Sequence, residues 1–369
     1  MEKVKIGIVG CGDISGIYLS NITKVFKEIE IIGVCDLIPE RAQKASELYG
    51  IPKIYEDMYE LFADSQVDIV LNLTRPYEHY GVSIEALRAG KNVYSEKPLA
   101  ATLEEGRELV ALAEEKGLRI GGAPDTFLGA GIQTCRKLID EGWIGTPVGA
   151  SAFMVCRGHE SWHPDPEFYY KHGGGPMMDM GPYYLSALVN LLGEVKMVSG
   201  MTCISYPERL ITSQLKAGTI IHVDVPTYVT GMMQFKSGAI GTIFTTFDVY
   251  TAEVPRIEIY GSKGTLSVPD PNTFGGPVRL YRPETGEFKE IPLLYDYKEN
   301  SRALGLADMA KAIQSKRNFR ASSKLTYHVL EVMSAFERSS QEGKHMLIES
   351  KVERPAPMVD ELMKGILEN

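Results

Sequence analysis

The sequence predicts an α/β protein of two domains. Residues 1–123 are expected to form a doubly wound parallel sheet, and residues 124–369 an α+β domain with a large, mostly antiparallel open sheet. Three observations support this prediction. Apolar runs of strand length alternate with helical stretches up to residue 122, and beyond Pro124 such runs follow one another without helices. A chain of 369 residues is also too long for one ordinary core.

The charge and the cysteines limit the class of the protein. The formal net charge is -9, with Lys and Arg scattered along the chain, which argues against nucleic acid or an anionic membrane as a partner. No apolar run is long enough to cross a membrane, and the start of the chain has no signal-peptide pattern. The five cysteines have no metal-binding spacing. We therefore expect free thiols, a cytoplasmic location and no metal site.

A glycine-rich turn follows the first predicted strand. Val4 to Val9 is almost continuously apolar, as in a central parallel strand that is buried on both faces. The turn then opens a predicted helix that runs from Ile14 to about Phe26. Glycines let the chain turn tightly and approach a pyrophosphate, which the first amides of the helix would bind. The residues expected to contact such a dinucleotide here are Gly10, Gly12, Asp13 and Ile14.

An acidic residue, Asp36, ends the second predicted strand, Ile29 to Cys35. In dinucleotide-binding folds an acid at this place accepts hydrogen bonds from ribose hydroxyls. Its negative charge would also repel a 2′-phosphate. The sequence therefore favours NAD over NADP as the cofactor.

The alternation continues to the end of the first domain. Helices are predicted over 41–49, 57–63 and 103–116 and in a segment ending at Gly90, and strands over 53–55, 68–73, 92–95 and 118–122. Six strands make a complete sheet of the Rossmann type. Thr74, Pro76 and His79 follow the fourth strand at the carboxyl edge of the sheet and are candidates for lining the cofactor cleft. For His79, capping or packing the next helix is the better-supported alternative.

The fifth predicted strand stops at Glu96-Lys97-Pro98. A proline cannot donate to the strand ladder, so a charged pair lies at the carboxyl edge of the sheet, where ligands of such sheets bind. We expect Glu96 on the cofactor side and Lys97 facing both cofactor and substrate. On these three residues alone, a solvated ion pair in a surface turn is the alternative.

The second domain is predicted to be rich in strands. One helix, 131–140, precedes strand-like runs over 149–156, 195–204, 219–229, 231–235, 239–248, 256–260 and 278–281, and helices over 300–315 and 325–342 close the chain. Strands grouped in this way form a mostly antiparallel sheet. We expect helices to cover one face of it and a second subunit to pair with the other.

A polar segment after the first of these strands, Arg157 to His163, contains the HExxH spacing of zinc proteases. That chemistry needs both histidines on one face of a stable helix and a third ligand. Gly158 and the prolines at 164 and 166 argue against a helix, so zinc is not expected. We predict an irregular loop that lays Arg157 and Trp162 over the cofactor or substrate, with His163 as a substrate contact. A packed surface loop is equally consistent with the sequence.

Three glycines at 173–175 precede a helix that is predicted to end at Leu192. Asp179 and Tyr183 are four residues apart and share one face of this helix, which makes them candidates for the catalytic site. The alternative is structural, with Asp179 near the helix cap and Tyr183 in the core. Further candidates for substrate contact, just after the sixth predicted strand, are Asp125 and Thr126.

These motifs resemble those of the Gfo/Idh/MocA family, which includes glucose–fructose oxidoreductases and inositol dehydrogenases. The residues that carry the resemblance are Gly10-x-Gly12, Asp36, Thr74-x-Pro76-x-x-His79, Glu96-Lys97-Pro98, Gly173 to Gly175, Asp179 and Gly181. The resemblance extends over essentially the whole chain. It implies that Lys97 lies beside the nicotinamide and the substrate hydroxyl and that Asp179 reaches the substrate.

One position departs from the family pattern. Tyr183 stands where histidine is commoner, although the glucose–fructose oxidoreductase branch also has tyrosine there. A tyrosine ordinarily titrates near pH 10, so it needs a nearby cation to act as a base, and Lys97 would be that cation. Whether Lys97 or Tyr183 takes the proton of the hydroxyl stays open at this point.

The function implied by the resemblance is an NAD-dependent oxidoreductase that acts on a secondary alcohol of a sugar, polyol or related cyclic compound. A homodimer or homotetramer formed through the second sheet is implied as well. Two other classes remain. Some relatives retain NAD and cleave a glycosidic bond by transient oxidation, and a non-catalytic NAD(P)-binding sensor would keep the fold without turnover.

Overall fold

The computed structural model describes residues 2–359 and 364–368. Its first sheet has five parallel strands in the order β2-β1-β3-β4-β5. The strands are β1 Val4–Val9, β2 Ile29–Cys35, β3 Ile69–Asn72, β4 Asn92–Ser95 and β5 Ile120–Gly122. All four residues of β3 and five of the six in β1 are buried, as expected for strands covered on both faces. The predicted Rossmann-type parallel sheet is confirmed.

The expected strand over residues 53–55 was wrong. Ile54 forms only an isolated parallel bridge with Val34. The Asp57 side chain then accepts a hydrogen bond from the Glu60 amide at 2.8 Å and caps the next helix. The chain therefore leaves the sheet edge after one bridge, and the first sheet has five strands instead of six.

Five helices accompany these strands. They are α1 Ser15–Lys24, α2 Pro39–Tyr49, α3 Met58–Ala63, α4 His79–Arg88 and α5 Leu103–Glu115. A capping box starts α5, because the Thr102 hydroxyl accepts from the Glu105 amide and the Glu105 carboxylate accepts from the Thr102 amide. The loops that precede α1, α4 and α5 all lie at the carboxyl edge of the sheet, which is where the candidate site is built.

The second sheet has nine strands in the order β15-β14-β13-β12-β6-β11-β10-β7-β16. Only the β6–β11 pair is parallel, so the mostly antiparallel sheet predicted for this half is confirmed. The strands are β6 Pro147–Val155, β7 Val195–Cys203, β10 Tyr228–Phe235, β11 Ile240–Thr246, β12 Ile257–Gly261, β13 Gly264–Val268, β14 Val278–Tyr281, β15 Phe288–Ile291 and β16 Met346–Leu347.

The strand expected over residues 219–229 was also wrong in its extent. Its first part is β9, Ile220–His222, which pairs with β8, Glu208–Leu210, in a separate hairpin. Pro226 interrupts the run because it has no amide to donate. The second part joins β10 of the large sheet.

Helices cover one face of the large sheet, and the chain that joins them also contacts the first sheet. They are α6 Ala130–Asp140, α7 Pro176–Leu192, α8 Leu304–Ser315 and α9 Ser323–Glu342. Just before α9, Ser322 bridges to Gly121 and the Gly122 amide donates to Ala321 O at 3.1 Å. A Cβ on Gly121 would lie 2.3 Å from that oxygen, so only glycine fits this junction. The division of the chain into two domains, residues 1–123 and 124–369, stays a prediction.

The opposite face of the large sheet carries exposed apolar side chains, including Met201, Met232 and Ile240. None of the described helices is long and apolar enough to span a bilayer.

Candidate active site

The glycine-rich turn leaves room for a pyrophosphate beside the first helix. Gly10 has a φ of 98°, and a Cβ there would lie 2.8 Å from the Leu73 carbonyl, so this position requires glycine. A Cβ on Gly12 would meet no heavy atom within 4 Å. The open space at Gly12 adjoins Asp13, Ile14 and the first amides of α1, which suits an anion.

Asp36 is fixed over this turn by two backbone amides. Its Oδ2 accepts from Cys11 N at 2.6 Å, and its Oδ1 accepts from Ile38 N at 2.8 Å. A carboxylate has lone pairs beyond these two, so it can also accept from ribose hydroxyls. The next residue, Leu37, is 92% exposed and offers no charge to a 2′-phosphate. The residues present therefore fit NAD.

The loop after β3 is tied to the Glu96-Lys97-Pro98 loop through a buried histidine. His79 Nδ1 lies 2.7 Å from Pro98 O, and its Nε2 lies 3.0 Å from Thr74 O. Burial lowers the pKa of His79, while its contacts with the Pro98 and Thr74 carbonyl oxygens act in the opposite direction. These contacts fit the packing role that the sequence analysis gave as the alternative for His79. Thr74 and Pro76 lie in the loop it holds.

Lys97 and Asp179 meet directly, although Lys97 follows β4 of the first sheet and Asp179 lies on α7, which follows the first strand of the second sheet. Lys97 Nζ donates to Asp179 Oδ1 at 2.7 Å and to Asp179 O at 2.9 Å. Burial alone would lower the pKa of Lys97, but Asp179, Tyr183 and Glu96 together outweigh it and the net direction is upward. Lys97 is therefore a protonated hydrogen-bond donor at neutral pH.

Glu96 supports this lysine from the cofactor side. Its Oε1 accepts from the Tyr18 hydroxyl at 2.6 Å, and its Oε2 accepts from the Lys97 amide at 3.0 Å. Tyr18 lies on α1, so the helix that follows the glycine turn also positions the Lys97 backbone. This connection links the cofactor turn to the candidate catalytic lysine.

Tyr183 lies one helical turn after Asp179, as the spacing predicted. Its ring centroid is 5.2 Å from Lys97 Nζ, and its hydroxyl accepts from Arg302 Nη2 at 3.4 Å. Burial raises the pKa of Tyr183, while the positive charges of Lys97 and Arg302 act in the opposite direction. Two cations thus flank the phenol, and the sequence had pointed to only one of them.

His159 is a site residue that the sequence analysis missed. Its Nε2 lies 3.7 Å from Asp179 Oδ2, on the carboxylate oxygen that Lys97 does not use. The ring is stacked on Tyr169, with centroids 3.7 Å apart. Burial lowers the pKa of His159 to about 4, so the imidazole is neutral at pH 7 and is a weak base. The sequence offered one signal, the His159-x-x-x-His163 spacing, which had been weighed only for zinc.

The glutamate of the HExxH spacing holds the loop in place. Glu160 accepts from Arg209 Nη1 at 2.9 Å and from the Tyr170 hydroxyl at 2.7 Å. Arg209 also forms an ion pair with Asp248. This buried network anchors the loop that carries His159 to the β8–β9 hairpin and to the end of β11.

The rest of this loop lies near the cofactor turn. Burial lowers the pKa of His163, and the nearby negative charge of Asp13 acts in the opposite direction. Trp162 beside it is 62% exposed. Asp165, two residues further, pairs with Arg75 of the loop after β3 at 2.9 Å. The Arg157 guanidinium lies over the ring of Tyr250, 5.0 Å from its centroid. The segment is irregular, as predicted, and the Asp165–Arg75 ion pair joins it to the loop after β3. That it lays Arg157 and Trp162 over the cofactor or substrate stays a prediction.

Asp125 and Thr126 lie under the site and are both buried. Asp125 Oδ2 accepts from Gly305 N at 3.0 Å. Thr126 Oγ1 has no hydrogen-bond partner among the described residues. A Cβ on Gly305 would lie 2.2 Å from the hydroxyl of Tyr94, so the first turn of α8 is closely inserted between Asp125 and Tyr94.

Replacing Asp125 with asparagine is expected to remove a pH-dependent loss of stability. Burial raises the pKa of Asp125 to about 6, so the folded chain keeps a proton that the unfolded chain has lost. This stabilisation is complete below the ordinary aspartate pKa and disappears as the pH rises through about 6, a change of about 3 kcal/mol. Urea unfolding at pH 4 and pH 7 should show the variant gaining most of that amount on the parent chain, because a part of the change is already complete at pH 4.

Two buried histidines, His159 and His328, have pKa values lowered to about 4 by burial and act in the opposite direction. They are common to both chains, so the difference between the chains isolates Asp125. Parallel pH profiles for variant and parent would contradict this account of Asp125.

Comparison with known proteins places the chain in a family. The model described as "Oxidoreductase family, NAD-binding Rossmann fold" matches residues 4–122. The model described as "GFO/IDH/MocA C-terminal domain" matches residues 132–267. An "NAD binding oxidoreductase from Klebsiella pneumoniae" has a similar structure, with a TM-score of 0.81 and 21% identity over 95% of this chain and 100% of that chain. This likeness shows the fold.

Two relatives are similar in sequence. An inositol 2-dehydrogenase/D-chiro-inositol 3-dehydrogenase of Lactiplantibacillus plantarum is 33% identical over 39% of this chain, a match that spans less than half, 42%, of that enzyme. A 1,5-anhydro-D-fructose reductase of Ensifer adhaerens is 30% identical over 64% of this chain and 67% of that protein. With both halves matched, and with a dinucleotide turn beside the Lys97–Asp179 pair, the chain belongs to the Gfo/Idh/MocA family of NAD-binding oxidoreductases.

Proposed function

We propose that this chain is an NAD-dependent dehydrogenase that acts on a secondary alcohol of a sugar, polyol or related cyclic compound. The observation that carries the proposal is the contact between Lys97 and Asp179 at the carboxyl edge of the sheet that holds the dinucleotide turn. The names of the two relatives, an inositol dehydrogenase and an anhydrofructose reductase, support a cyclic polyhydroxylated substrate.

In this proposal the site works by hydrogen bonding and proton transfer. Lys97 donates to the substrate oxygen and stabilises the negative charge that develops there. Asp179 holds Lys97 and accepts from neighbouring substrate hydroxyls. The hydroxyl proton goes to Tyr183 as the O–H bond breaks, or to Lys97 in a deprotonated state that its raised pKa disfavours. NAD, when bound, accepts the hydride from the carbinol carbon, so the products are a ketone, NADH and a proton.

The proposed residues fall into three groups. The catalytic residues are Lys97, Asp179 and Tyr183. The cofactor-binding residues are Gly10, Gly12, Asp13, Ile14, Asp36, Thr74, Pro76, His79, Glu96, Lys97, Arg157 and Trp162, with His79 acting through the loops it joins. The substrate-binding residues are Lys97, Asp125, Thr126, His163, Asp179 and Tyr183.

The test of the function is NADH formation against a panel of inositols, aldoses, anhydrosugars and sugar acids, with NADP in parallel. We expect turnover with NAD on one stereochemical group of secondary alcohols. NAD binding without turnover on any member would contradict the proposal and favour a sensor. Release of a glycosidic leaving group without net NADH would favour cleavage by transient oxidation.

Replacing Asp36 with alanine should weaken NAD and reduce the discrimination against NADP. The variant loses hydrogen bonds from the ribose hydroxyls to a charged group, each of which contributes about 1.5–3 kcal/mol. The KM for NAD should therefore rise about 10- to 100-fold, while the KM for NADP should change less. Glu40, exposed on α2, gives a matched control as Glu40→Ala. Equal rises for both cofactors would contradict the role assigned to Asp36.

We further propose a homodimer or homotetramer that pairs through the open face of the second sheet, in the cytoplasm. Met201, Met232 and Ile240 on that face are between 52% and 75% exposed, and apolar side chains grouped in this way mark contact surfaces. The five cysteines are all unpaired, in keeping with a reducing compartment.

Replacing Met232 with lysine should dissociate the oligomer, because a charge would then lie in the centre of the contact surface. Light scattering during gel filtration should give a mass two or four times that of the chain for the parent and that of a single chain for the variant. Leu48→Lys, on an exposed position of α2, is the control and should leave the mass unchanged. A monomeric parent chain would overturn the proposed assembly.

A further inference from the structure

Arg302 is a largely buried cation whose hydrogen-bond partners are all neutral, although the carboxylates of Glu96 and Asp125 act on it through their charge. Its Nη1 donates to Asn300 Oδ1 at 2.8 Å, and its Nη2 donates to Asn272 Oδ1 at 2.8 Å and to the Tyr183 hydroxyl at 3.4 Å. No carboxylate forms an ion pair with it among residues 2–359 and 364–368. Buried charges are normally paired, because desolvation is costly. The positive charge of Arg302 therefore calls for an explanation within the site.

The backbone around Arg302 is held in place from the cofactor side. Asn21 of α1 donates from its Nδ2 to Asn300 O at 2.9 Å and to Arg302 O at 2.8 Å. The next residue, Ala303, is buried with a φ of 82°, a conformation that residues other than glycine rarely adopt. Such strain persists where the surrounding structure over-determines it and is found at functional sites. Arg302 is thus fixed by the helix that follows the glycine turn.

Lys97 is already committed as a donor. Asp179 engages its ammonium through two oxygens, and a protonated amine cannot accept a proton. The other titratable group at this end of the site is the Tyr183 hydroxyl, and Arg302 donates a hydrogen bond to it.

We propose that Arg302 is a positioning residue that holds the Tyr183 hydroxyl and stabilises its phenolate, which makes Tyr183 the proton acceptor of the reaction. The inference rests on the proposed dehydrogenase function. In the step, the substrate O–H bond breaks, the phenolate oxygen of Tyr183 takes that proton, and the hydride leaves the same carbinol for NAD. The resulting phenol later releases its proton to solvent, so charge and protons balance.

Charged and titratable groups face Tyr183 from four segments. They are Glu96 and Lys97 after β4, Tyr169 in the turn before α7, Asp179 on its own helix, and Arg302 before α8. Burial raises the pKa of Tyr183 most, Lys97 and Arg302 lower it, and Glu96 raises it. Removing the charge of Arg302 therefore moves the titration of Tyr183 to higher pH.

The experiment is a pH titration of Tyr183 by NMR in protein labelled with ¹³Cζ-tyrosine, with Tyr183→Phe used to assign its signal. Arg302→Gln keeps hydrogen-bond donors but removes the charge, and we expect the midpoint to rise by about one pH unit or more. Arg302→Lys keeps the charge, and its midpoint should stay near that of the parent chain. Should Arg302→Gln not fold, Asn272→Ala, which frees the guanidinium from one of its amide partners, should show a smaller rise.

A matched control acts on the neighbouring tyrosine of the same helix. Arg256 acts on Tyr184 as Arg302 acts on Tyr183, so Arg256→Gln should leave the Tyr183 signal unmoved. An unchanged or lower midpoint in Arg302→Gln would overturn the inference. This titration needs no turnover, so it distinguishes a failure of the inference from a failure of the proposed function.

Kinetics supply the second readout once a substrate is found. In a plot of kcat/KM against pH, the rising limb should move to higher pH in Arg302→Gln, by the same number of pH units as the NMR midpoint. In Arg302→Lys it should return to the pH of the parent chain. A rise in KM confined to substrates that carry a carboxylate, with both pH profiles unmoved, would instead assign Arg302 to binding that carboxylate. That result would contradict a positioning role for Arg302 at Tyr183.

Discussion

Replacing Lys97 with methionine should lower kcat/KM about 10²- to 10⁴-fold, the range for loss of a group that transfers or stabilises a proton in the transition state. Methionine keeps the length of the side chain but cannot donate to the substrate oxygen. NAD affinity, measured by fluorescence or calorimetry, should change only a few-fold, because Glu96 and the glycine turn remain in place. A variant that keeps more than a tenth of the activity would contradict the catalytic assignment of Lys97.

Lys91→Met is the matched control for this change. Lys91 is a buried lysine just before β4, at the opposite end of the strand from Lys97. Among the described residues its Nζ donates to Asp64 O and Val67 O alone. Its replacement should lower stability without lowering kcat/KM of the folded fraction. The pair of variants therefore separates loss of a buried ammonium from loss of the reacting one.

Replacing Arg209 with methionine should destabilise the chain by about 3–5 kcal/mol, the usual effect of removing one partner of a buried charge cluster. The Arg209 side chain is 3% exposed and neutralises Glu160 and Asp248. Both carboxylates would then be buried without a counter-charge. Urea unfolding measures the change, and Arg88→Met, which removes an exposed pair with Glu85, should cost no more than about 1 kcal/mol.

A triple variant tests the cause of that loss of stability. If unpaired carboxylates cause the destabilisation, the triple variant Arg209→Met, Glu160→Gln, Asp248→Asn should recover a large part of the lost stability. Activity should stay low, because the triple variant still lacks the Arg209 contacts that anchor the loop carrying His159 beside Asp179. If the triple variant recovers no stability, packing around Arg209, and not charge, causes most of the destabilisation.

The residues of the candidate site that sequence reasoning found are those whose place depends on local geometry. Lys97 lies at the end of a strand stopped by a proline, so its position at the sheet edge follows from backbone chemistry. Asp179 and Tyr183 share a helix face because they are four residues apart. The meeting of Lys97 with Asp179 came from the family resemblance, since no local rule joins the loop after β4 to a helix more than 80 positions away.

The residues that were missed depend on contacts between distant segments. Arg302 lay inside a helix predicted over residues 300–315, but α8 begins only at Leu304. Arg302 reaches Tyr183 from the segment before that helix, where Asn21 and Asn272, far apart in the chain, fix it. His159 lies in an irregular loop, and its environment is set by Tyr169 and by the Glu160–Arg209 pair. The short strand expected at residues 53–55 failed for the related reason that a capped helix competed for the same chain.

The most direct test of the central claim is transfer of deuterium from a carbinol carbon to the nicotinamide. A substrate identified from the panel is labelled with deuterium at the oxidised carbon, and the NADH formed is analysed by NMR. We predict one deuterium at C4 of NADH, on a single face, and loss of this product in Lys97→Met. Conversion of the substrate without deuterium in free NADH would contradict the dehydrogenase mechanism.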